Sequence, residues 1–230
     1  MPTQKGLNFG VFYVATYQEC FVVEAAASAQ SLKKYCPDIS ICLCTNIPDS
    51  KWIKDEYFDH VVSIEPDTNQ GTQWGQGLLS RVSSLPLSPY EKTLHVDTGT
   101  RFLDEKVLTF FDLLDTHEIA MVEDSPKVSI GVKAYRGRMF NGGAILYKKC
   151  DKTNTLFKEW KKLFQTQLEA YDLDPLPEIP YMYRIKDIAM RRKLMTHDQL
   201  ALAQLLGPET NTLNLKYKIL NEEWNLDALH

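Results

Sequence analysis

Hydrophobic residues in the first half of the chain fall into short β-branched or aromatic runs that alternate with longer helical stretches. The run at 9–16 is followed by an Ala-rich stretch, and Pro37 ends that stretch because proline cannot continue a helix. The elements predicted in this half are strands at 9–16, 39–45 and 61–64 and helices at 20–35 and 77–87. Such alternation is typical of a mostly parallel sheet covered by helices on both faces.

The second half continues the alternation, with two segments that lack a clear period. The predicted elements are strands at 92–96, 119–122, 144–147 and 213–219 and helices at 104–114, 153–170, 184–194 and 197–206. The segments 123–139 and 172–182 are rich in proline or glycine and predict irregular loops. With no internal repeat, the pattern predicts a single α/β domain over 1–230, built on a central, mostly parallel mixed sheet flanked by helices.

Composition and charge narrow the function classes. The 230 residues are 44% hydrophobic and 24% charged, which is ordinary for a globular domain. A net charge of −4 provides no global positive field for nucleic acid or an anionic membrane, so any phosphate binding must be local. Met1 to Asn8 is too polar for a signal peptide, and no window reaches the roughly 18 apolar residues of a membrane span. We therefore expect a cytoplasmic protein.

The pattern of cysteines also indicates the cytoplasm. Five of them are scattered, mostly through apolar segments, which fits a reducing environment better than a disulfide framework. Cys42 and Cys44 share one face of a predicted strand, with no second Cys/His pair nearby. We interpret them as buried strand residues and not as metal ligands.

Polar residues cluster where predicted strands end. In open α/β sheets ligands bind outside the carboxyl ends of the strands, so these residues are the first candidates for a site. They are Thr16, Tyr17, Gln18, Asp97, Thr98, Asn141 and Gly142. Each of them taken alone is also compatible with an ordinary turn or a helix cap.

The stretch Tyr90 to Leu103, YEKTLHVDTGTRFL, favours a functional site over ordinary turns and helix caps. It is similar to the segment that carries the DxD motif in glycogenin-like and related glycosyltransferases of the A-type (GT-A) fold. The first aspartate of the motif matches Asp97. Arg81, in the preceding predicted helix, matches a basic residue that contacts the donor diphosphate in that family, although an exposed helix cation is an equal interpretation from the sequence.

Three further segments extend the resemblance from about 9 to 206. Phe140 to Gly143 resembles the family's Phe-Asn-Ser-Gly segment, and Asp198-Gln199 resembles its Asp-Gln motif. The residues around the first strand end, including Thr16, match the family's nucleobase pocket. Those that hold a uracil in the family fall on Ala15, Tyr17, Gln18 and Phe21. No single motif is specific, but the four occur in the family's order.

The resemblance implies a transferase that moves a sugar, most simply a hexose from a UDP-hexose, to an acceptor with retention of configuration. It divides the chain into a nucleotide-binding half at about 1–104 and a half for the sugar and acceptor at about 105–230. The catalytic residues it implies are Asn141, Asp198 and Gln199. The donor contacts it implies also include Arg81, Asp97, Thr98, Gly99, Gly142 and Gly143. An inverting enzyme would instead need one carboxylate base, for which Asp198, Glu123 and Asp124 are available.

The departures from the family concern the cation, Mn²⁺ or Mg²⁺. Gly99 stands where the second aspartate of DxD is usual, and the tail lacks the family's His-x-x-Gly-x-x-Lys-Pro-Trp segment. Three alternatives follow. Asp97 binds the cation with Asp227 or His230 of the tail; or His95, which shares a strand face with Asp97, is the second ligand; or the reaction needs no metal, and arginines (Arg81, with Arg136 or Arg138) stabilise the leaving diphosphate.

Other function classes fit less well. A sugar nucleotidyltransferase should have a Gly-rich basic loop after the first strand, and ATYQECF is not one. A dinucleotide-binding oxidoreductase needs Gly-x-Gly-x-x-Gly directly after a strand, whereas the GTQWGQG stretch at 71–77 has no strand immediately before it. The remaining alternative is a catalytically inactive protein of the same fold that binds a nucleotide or a partner.

Overall fold

The computed structural model describes residues 7–65, 72–123, 139–178, 185–207 and 211–220. Within them the strands are β1 Leu7–Ala15, β2 Ser40–Thr45, β3 His60–Ser63, β4 Tyr90–Val96, β5 Ile119–Glu123, β6 Phe140–Lys148 and β7 Tyr217–Leu220. The α-helices are α1 Glu19–Tyr35, α2 Gln73–Ser84, α3 Asp151–Glu169, α4 Ile188–Met195 and α5 Asp198–Leu206. Two 3₁₀ helices span Leu85–Leu87 and Glu105–Asp115.

The strands form one seven-stranded sheet in the order β3-β2-β1-β4-β6-β5-β7. Strands β3, β2, β1 and β4 run parallel, β6 is antiparallel to both of its neighbours, and β7 is parallel to β5. The prediction of an α/β fold with a mostly parallel mixed sheet is confirmed. Because β6 is reversed, its amino end, and not its carboxyl end, lies beside the end of β4.

Hydrophobic side chains cover both faces of this sheet. On one face, α1 and the 3₁₀ helix Glu105–Asp115 pack on inward residues of β1, β2 and β4 such as Tyr13 and Leu94. On the other, α2, α3 and α5 pack on β5 and β6, with Trp160 of α3 fully buried. Strand alternation places successive side chains on opposite faces, so each strand contributes to both layers. These layers hold the ends of β1, β4 and α5 rigidly at one edge of the sheet.

Several element boundaries differ from the sequence pattern; β6, for example, begins at Phe140 rather than at 144, and α4 begins at Ile188 rather than at 184. Helix α2 begins at Gln73 rather than at 77, because Thr72 caps it by accepting a hydrogen bond from the Gly75 N–H at 3.1 Å. Its low-propensity glycines conceal this start. The segment 105–115 forms a 3₁₀ helix, not an α-helix. The last strand begins at Tyr217 because Asn214, with φ of 48°, turns the chain just before it.

Other predictions from the sequence have mixed outcomes. Cys42 and Cys44 are fully buried strand residues, as predicted, and burial raises the pKa of the Cys44 thiol to about 11. The predicted loop at 172–182 contains no helix or strand as far as residue 178. Residues 124–138, 179–184 and the tail from 221 lie outside the described residues. In the part of the chain that the structure describes, no helix is both long and apolar enough to cross a membrane.

Candidate active site

A cleft of about 1310 Å³ lies at the edge of the sheet where β1 and β4 end, between α2, α5 and the loop after β4. Its lining includes most of the residues predicted for the site: Thr16, Tyr17, Gln18, Phe21, Arg81, Asp97, Thr98, Gly99, Asn141, Gly143, Asp198 and Gln199. Ala15 is in the core, 1% exposed, and Gly142 is buried behind the cleft wall; neither is a lining residue. Asp227 and His230 lie outside the described residues.

Arg81 forms the centre of the cleft floor by bridging two carboxylates. Its Nη1 donates to Asp97 Oδ1 at 2.8 Å, and its Nη2 donates to Asp198 Oδ2 at 2.7 Å. The Arg81 side chain is 11% exposed and that of Asp198 is 2% exposed, whereas that of Asp97 is 54% exposed. Burial lowers the pKa of Arg81, but the two carboxylates raise it above its usual range. The interpretation of Arg81 as an exposed helix cation is therefore wrong.

Two glycines at the start of β6 make room for this bridge. A Cβ added at Gly142 would lie 2.4 Å from Arg81 Nη2, and one added at Gly143 would lie 2.6 Å from Asp97 Oδ2. Neither approach is possible for a side chain without displacing the charged groups. Gly99 differs, because a Cβ there would meet nothing among the described residues within 4 Å. Gly142 and Gly143 are thus required by the packing of the site, and Gly99 is not.

Asp97 is fixed through its backbone as well as its side chain. Its N–H donates to the Gly143 carbonyl at 2.8 Å, and its own carbonyl accepts from the Thr100 N–H at 3.0 Å. Burial raises the pKa of its carboxyl, but the adjacent Arg81 outweighs this and holds the pKa below its ordinary value. Asp97 is therefore an anion at neutral pH, with Oδ1 bound to Arg81 and its half-exposed carboxylate facing the cleft.

Asp198 and Asn141 lie beside Asp97 and Arg81. Asp198 is the first residue of α5, and its backbone carbonyl accepts a hydrogen bond from Trp160 Nε1 at 2.8 Å, which ties the helix start to the buried core. Asn141 Oδ1 accepts from the Gly143 N–H at 2.6 Å, so the Asn141 side chain can offer a ligand its amide nitrogen. Gln199, half-buried, completes this wall. Together they provide both donors and acceptors for a polyhydroxylated ligand.

Tyr17 lines the cleft just after the end of β1, in a strained conformation. Its φ is 70°, which is rare for a residue with a side chain. Asn46, just after β2, holds it there by accepting the Tyr17 N–H at 2.8 Å through Oδ1. The Tyr17 hydroxyl lies 3.1 Å from Ser80 Oγ of α2. The sequence does not identify Asn46, since an Asn after a strand is a common turn residue.

The loop after Asp97 is held by two charged residues that the sequence analysis did not single out. Thr98 Oγ1 donates to Glu24 Oε2 of α1 at 2.9 Å. Arg101 Nη1 donates to the carbonyls of Gly99 and Thr100 at 3.3 and 2.8 Å. Both charged side chains line the cleft. Their signal in the sequence is weak, because surface helices and turns contain many such residues.

His95 belongs to the sheet and does not line the cleft. It is 1% exposed, and its Nδ1 lies 3.0 Å from the Phe12 carbonyl, which it contacts as a donor in the matching tautomer. Burial is the main cause that lowers its pKa to about 4, so the ring is neutral at physiological pH. This placement removes His95 from the candidate ligands of a cation in the cleft.

The described lining of the cleft carries a net negative charge. Among the described residues, four carboxylates (Glu24, Asp97, Asp104 and Asp198) and two guanidiniums (Arg81 and Arg101) line it, a formal charge of −2. A diphosphate, itself an anion, needs a cation or further basic side chains beside such a surface, and the two arginines considered for that purpose, Arg136 and Arg138, lie outside the described residues. The described residues contain no group of three or more His, Cys, Asp or Glu that could hold a metal. The exposed carboxylate of Asp97 nevertheless suits a hard cation that takes its other oxygens from phosphates and water.

The chain is similar to solved structures in its fold, although its sequence matches no known family. No protein-family model matches the chain, and no curated protein matches its sequence. The galactosyltransferase LgtC, in a structure with donor and acceptor sugar analogues, is 14% identical over 93% of this chain and 73% of its own, with a TM-score of 0.54. An active-site mutant of LgtC is 13% identical over the same shares, with a TM-score of 0.55.

The glycosyltransferase GlyE of Streptococcus pneumoniae TIGR4, in its apo form, is also similar. It is 14% identical over 95% of this chain but only 46% of its own length, with a TM-score of 0.50. At such identities the similarity concerns the backbone and not the individual side chains. The chain has the GT-A fold, with its cleft at the edge of the sheet where the strands β1 and β4 end.

Proposed function

We propose that the chain is a nucleotide-sugar-dependent glycosyltransferase and that the cleft binds a UDP-hexose. The observation that carries the proposal is the Arg81 bridge, because it fixes an exposed carboxylate, Asp97, and a buried one, Asp198, on opposite sides of one guanidinium. Buried charge networks of this kind are expensive to maintain and concentrate at functional sites. The GT-A fold supports the same function by analogy.

Each part of the cleft has a role in this proposal. Tyr17 and Phe21 provide aromatic surface for the base, with Gln18 exposed beside them. Asn141, Asp198 and Gln199 hold the hydroxyls of the hexose, and positioning of this kind lowers the barrier by orienting the reacting groups. Arg81 holds the two carboxylates in place. The transfer breaks the bond between the anomeric carbon and the diphosphate, so negative charge grows on the leaving phosphate.

A divalent cation, when bound, supplies the positive charge that the leaving diphosphate needs in this acidic cleft. Asp97 would hold it, and Asp227 or His230 of the tail are the further ligands that we propose. The residues of the chain then bind and orient the donor around that charge. Removal of Asp97 eliminates the one exposed carboxylate that the bridge positions at the end of β4.

We propose retention of configuration from the state of Asp198, which lines the cleft and is one of the three carboxylates considered as a base. An inverting reaction needs a carboxylate base free to accept the acceptor's proton. Asp198 is 1% exposed and its Oδ2 is bound to Arg81, which makes it a poor base. Glu123 is not among the described residues that line the cleft, and Asp124 lies outside the described residues.

The test is release of UDP from UDP-glucose and UDP-galactose by the purified chain, with Mn²⁺, with Mg²⁺ and with EDTA. We expect turnover with a metal, and a loss of about 100-fold or more in kcat/KM for Asp97→Asn, by analogy with the removal of an electrostatic group that acts on developing charge. Asp38→Asn is the matched control, because Asp38 is exposed and outside the cleft.

Two outcomes would overturn the mechanism. If Asp97→Asn releases UDP as fast as the parent protein, Asp97 does not act on the diphosphate. If UDP binds in calorimetry and neither donor is ever hydrolysed or transferred, the chain is instead the inactive nucleotide-binding protein that its altered DxD motif also allows.

A further inference from the structure

Trp74 is a large aromatic residue that the fold leaves open. It lies in the first turn of α2, is 59% exposed, and lines the cleft. Most tryptophan side chains bury the greater part of their surface, so an indole that is exposed inside a concave site is informative. None of the motifs recognised in the sequence includes it.

The position of Trp74 on the helix relates it to the Arg81 bridge. Seven residues separate the two, which is about two helical turns, so they share one face and lie about 10 Å apart along the axis. Gly77 lies between them on the cleft side, and a Cβ there would meet no described atom within 4 Å. Next to the indole, the cleft face of α2 is therefore open at Gly77.

A second element orients the indole. The His197 ring packs against it in a T-shaped geometry, with ring centroids 6.4 Å apart and planes at 65°. His197 directly precedes Asp198, whose helix start is anchored by Trp160. An aromatic side chain held in place before a ligand arrives loses less conformational entropy on binding.

We propose that Trp74 is a stacking platform for the pyranose ring of a carbohydrate acceptor, which lies beside it over Gly77. The electron-rich face of an indole attracts the weakly positive C–H face of a sugar, while the hydroxyls at the ring's edge remain free for polar partners. This inference rests on the proposed function and deepens it, because it names the acceptor class. The flexible side chain of a protein acceptor would not present such a rigid face to the indole.

The acceptor, and not the donor sugar, is assigned to the platform because of the place of Trp74 along α2. The indole lies about 10 Å along the helix axis from Arg81, whose guanidinium contacts Asp97 and Asp198, the carboxylates that the proposed function gives to the donor. In the transfer, an acceptor hydroxyl oxygen bonds to the anomeric carbon as the bond from that carbon to the diphosphate oxygen breaks. The hydroxyl proton passes to the departing diphosphate, which balances the step.

The test measures saccharide binding without turnover, so that it is independent of catalysis. Lactose and methyl β-D-glucopyranoside are titrated into the full chain with UDP and Mn²⁺, and their affinities are measured by saturation-transfer NMR. Trp74→Ala should weaken binding about tenfold, whereas Trp74→Phe should retain most of it, because one aromatic face remains. Trp52→Ala is the control, because Trp52 is 38% exposed but not part of the cleft lining.

Steady-state kinetics then test whether the sugar ring at Trp74 belongs to the acceptor or to the donor. Where the parent chain transfers a hexose, Trp74→Ala should raise the KM for the saccharide acceptor about tenfold and change the KM for the UDP-hexose less than twofold. A rise confined to the donor KM, or saccharide affinity equal in Trp74→Ala and the parent, overturns the platform. Those results leave UDP release intact, whereas failure of the proposed function would abolish UDP release in the parent chain itself.

Discussion

Replacement of Arg81 by methionine tests whether its guanidinium holds the site together. The variant keeps a long apolar side chain but removes the only charge that contacts both carboxylates in the described part of the structure. Asp198 is then left with a side chain that is 2% exposed and without a counter-ion among the described residues. Asp97, at 54% exposure, can be solvated by water. The two halves of the bridge therefore contribute unequally.

The cost follows from that asymmetry. Removal of one partner of a buried ion pair costs about 3–5 kcal/mol, because the remaining charge stays buried without compensation. The half-exposed pair with Asp97 adds about 1 kcal/mol or less. We therefore expect Arg81→Met to lower the free energy of unfolding by about 3–5 kcal/mol, almost all of it through Asp198.

Urea unfolding followed by circular dichroism measures this change. A second variant, Arg81→Met with Asp198→Leu, should recover most of the loss, because it removes the uncompensated charge. Arg81→Met with Asp97→Asn should not. Lys158→Met is the control, since Lys158 is an exposed cation of α3 outside the cleft lining. A loss below about 1 kcal/mol for Arg81→Met, or recovery through Asp97→Asn, would refute the reasoning.

Three further predictions concern neighbouring residues. Gly142→Ala should lower the free energy of unfolding by about 1–3 kcal/mol through overpacking against the pinned guanidinium, whereas Gly99→Ala should change it little; thermal unfolding compares them, and equal losses would contradict the packing argument. Asn46→Ala should weaken UDP binding about tenfold in calorimetry, because Tyr17 loses the acceptor that holds its positive φ, and Asn46→Asp should restore it. The pKa of Asp97 is lowered from 3.8, so its ion pair stabilises the fold above about pH 4 and is lost as the pH falls through the folded pKa. The loss of unfolding free energy caused by Asp97→Asn should accordingly shrink as the pH is lowered from 6 to 2. A loss that grows on acidification would contradict the lowered pKa of Asp97.

Much of the fold could be predicted from the sequence, because hydrophobic periodicity follows strands and helices directly. Asp97 was placed correctly for the same reason, as the first polar residue after an apolar strand. The prediction of an α-helix at 104–114 was wrong, since both helix types bring residues three apart onto one side and a short apolar pattern does not separate them. His95 shows a related limit: alternation assigns a strand residue to a face but does not reveal how deeply that face is buried.

The site itself depends on contacts that no local pattern contains. Arg81 lies in a helix whose sequence resembles any amphipathic surface helix, and its burial results from Asp198, which is 117 residues away in the chain. Asn46 acts through a positive φ at Tyr17 that depends on tertiary structure. Trp74 stands between polar and glycine residues, where nothing distinguishes a cleft wall from ordinary surface.

The length of chain between Arg81 and Asp198 has a consequence for folding kinetics. Contacts across 117 residues require a large loop to close, so the bridge should form only after the sheet and α3 are in place. Interactions that are absent from the transition state affect the rate of unfolding and leave the rate of folding almost unchanged. We therefore expect the bridge to form after the folding transition state. A protein without it would fold at the normal rate and unfold faster.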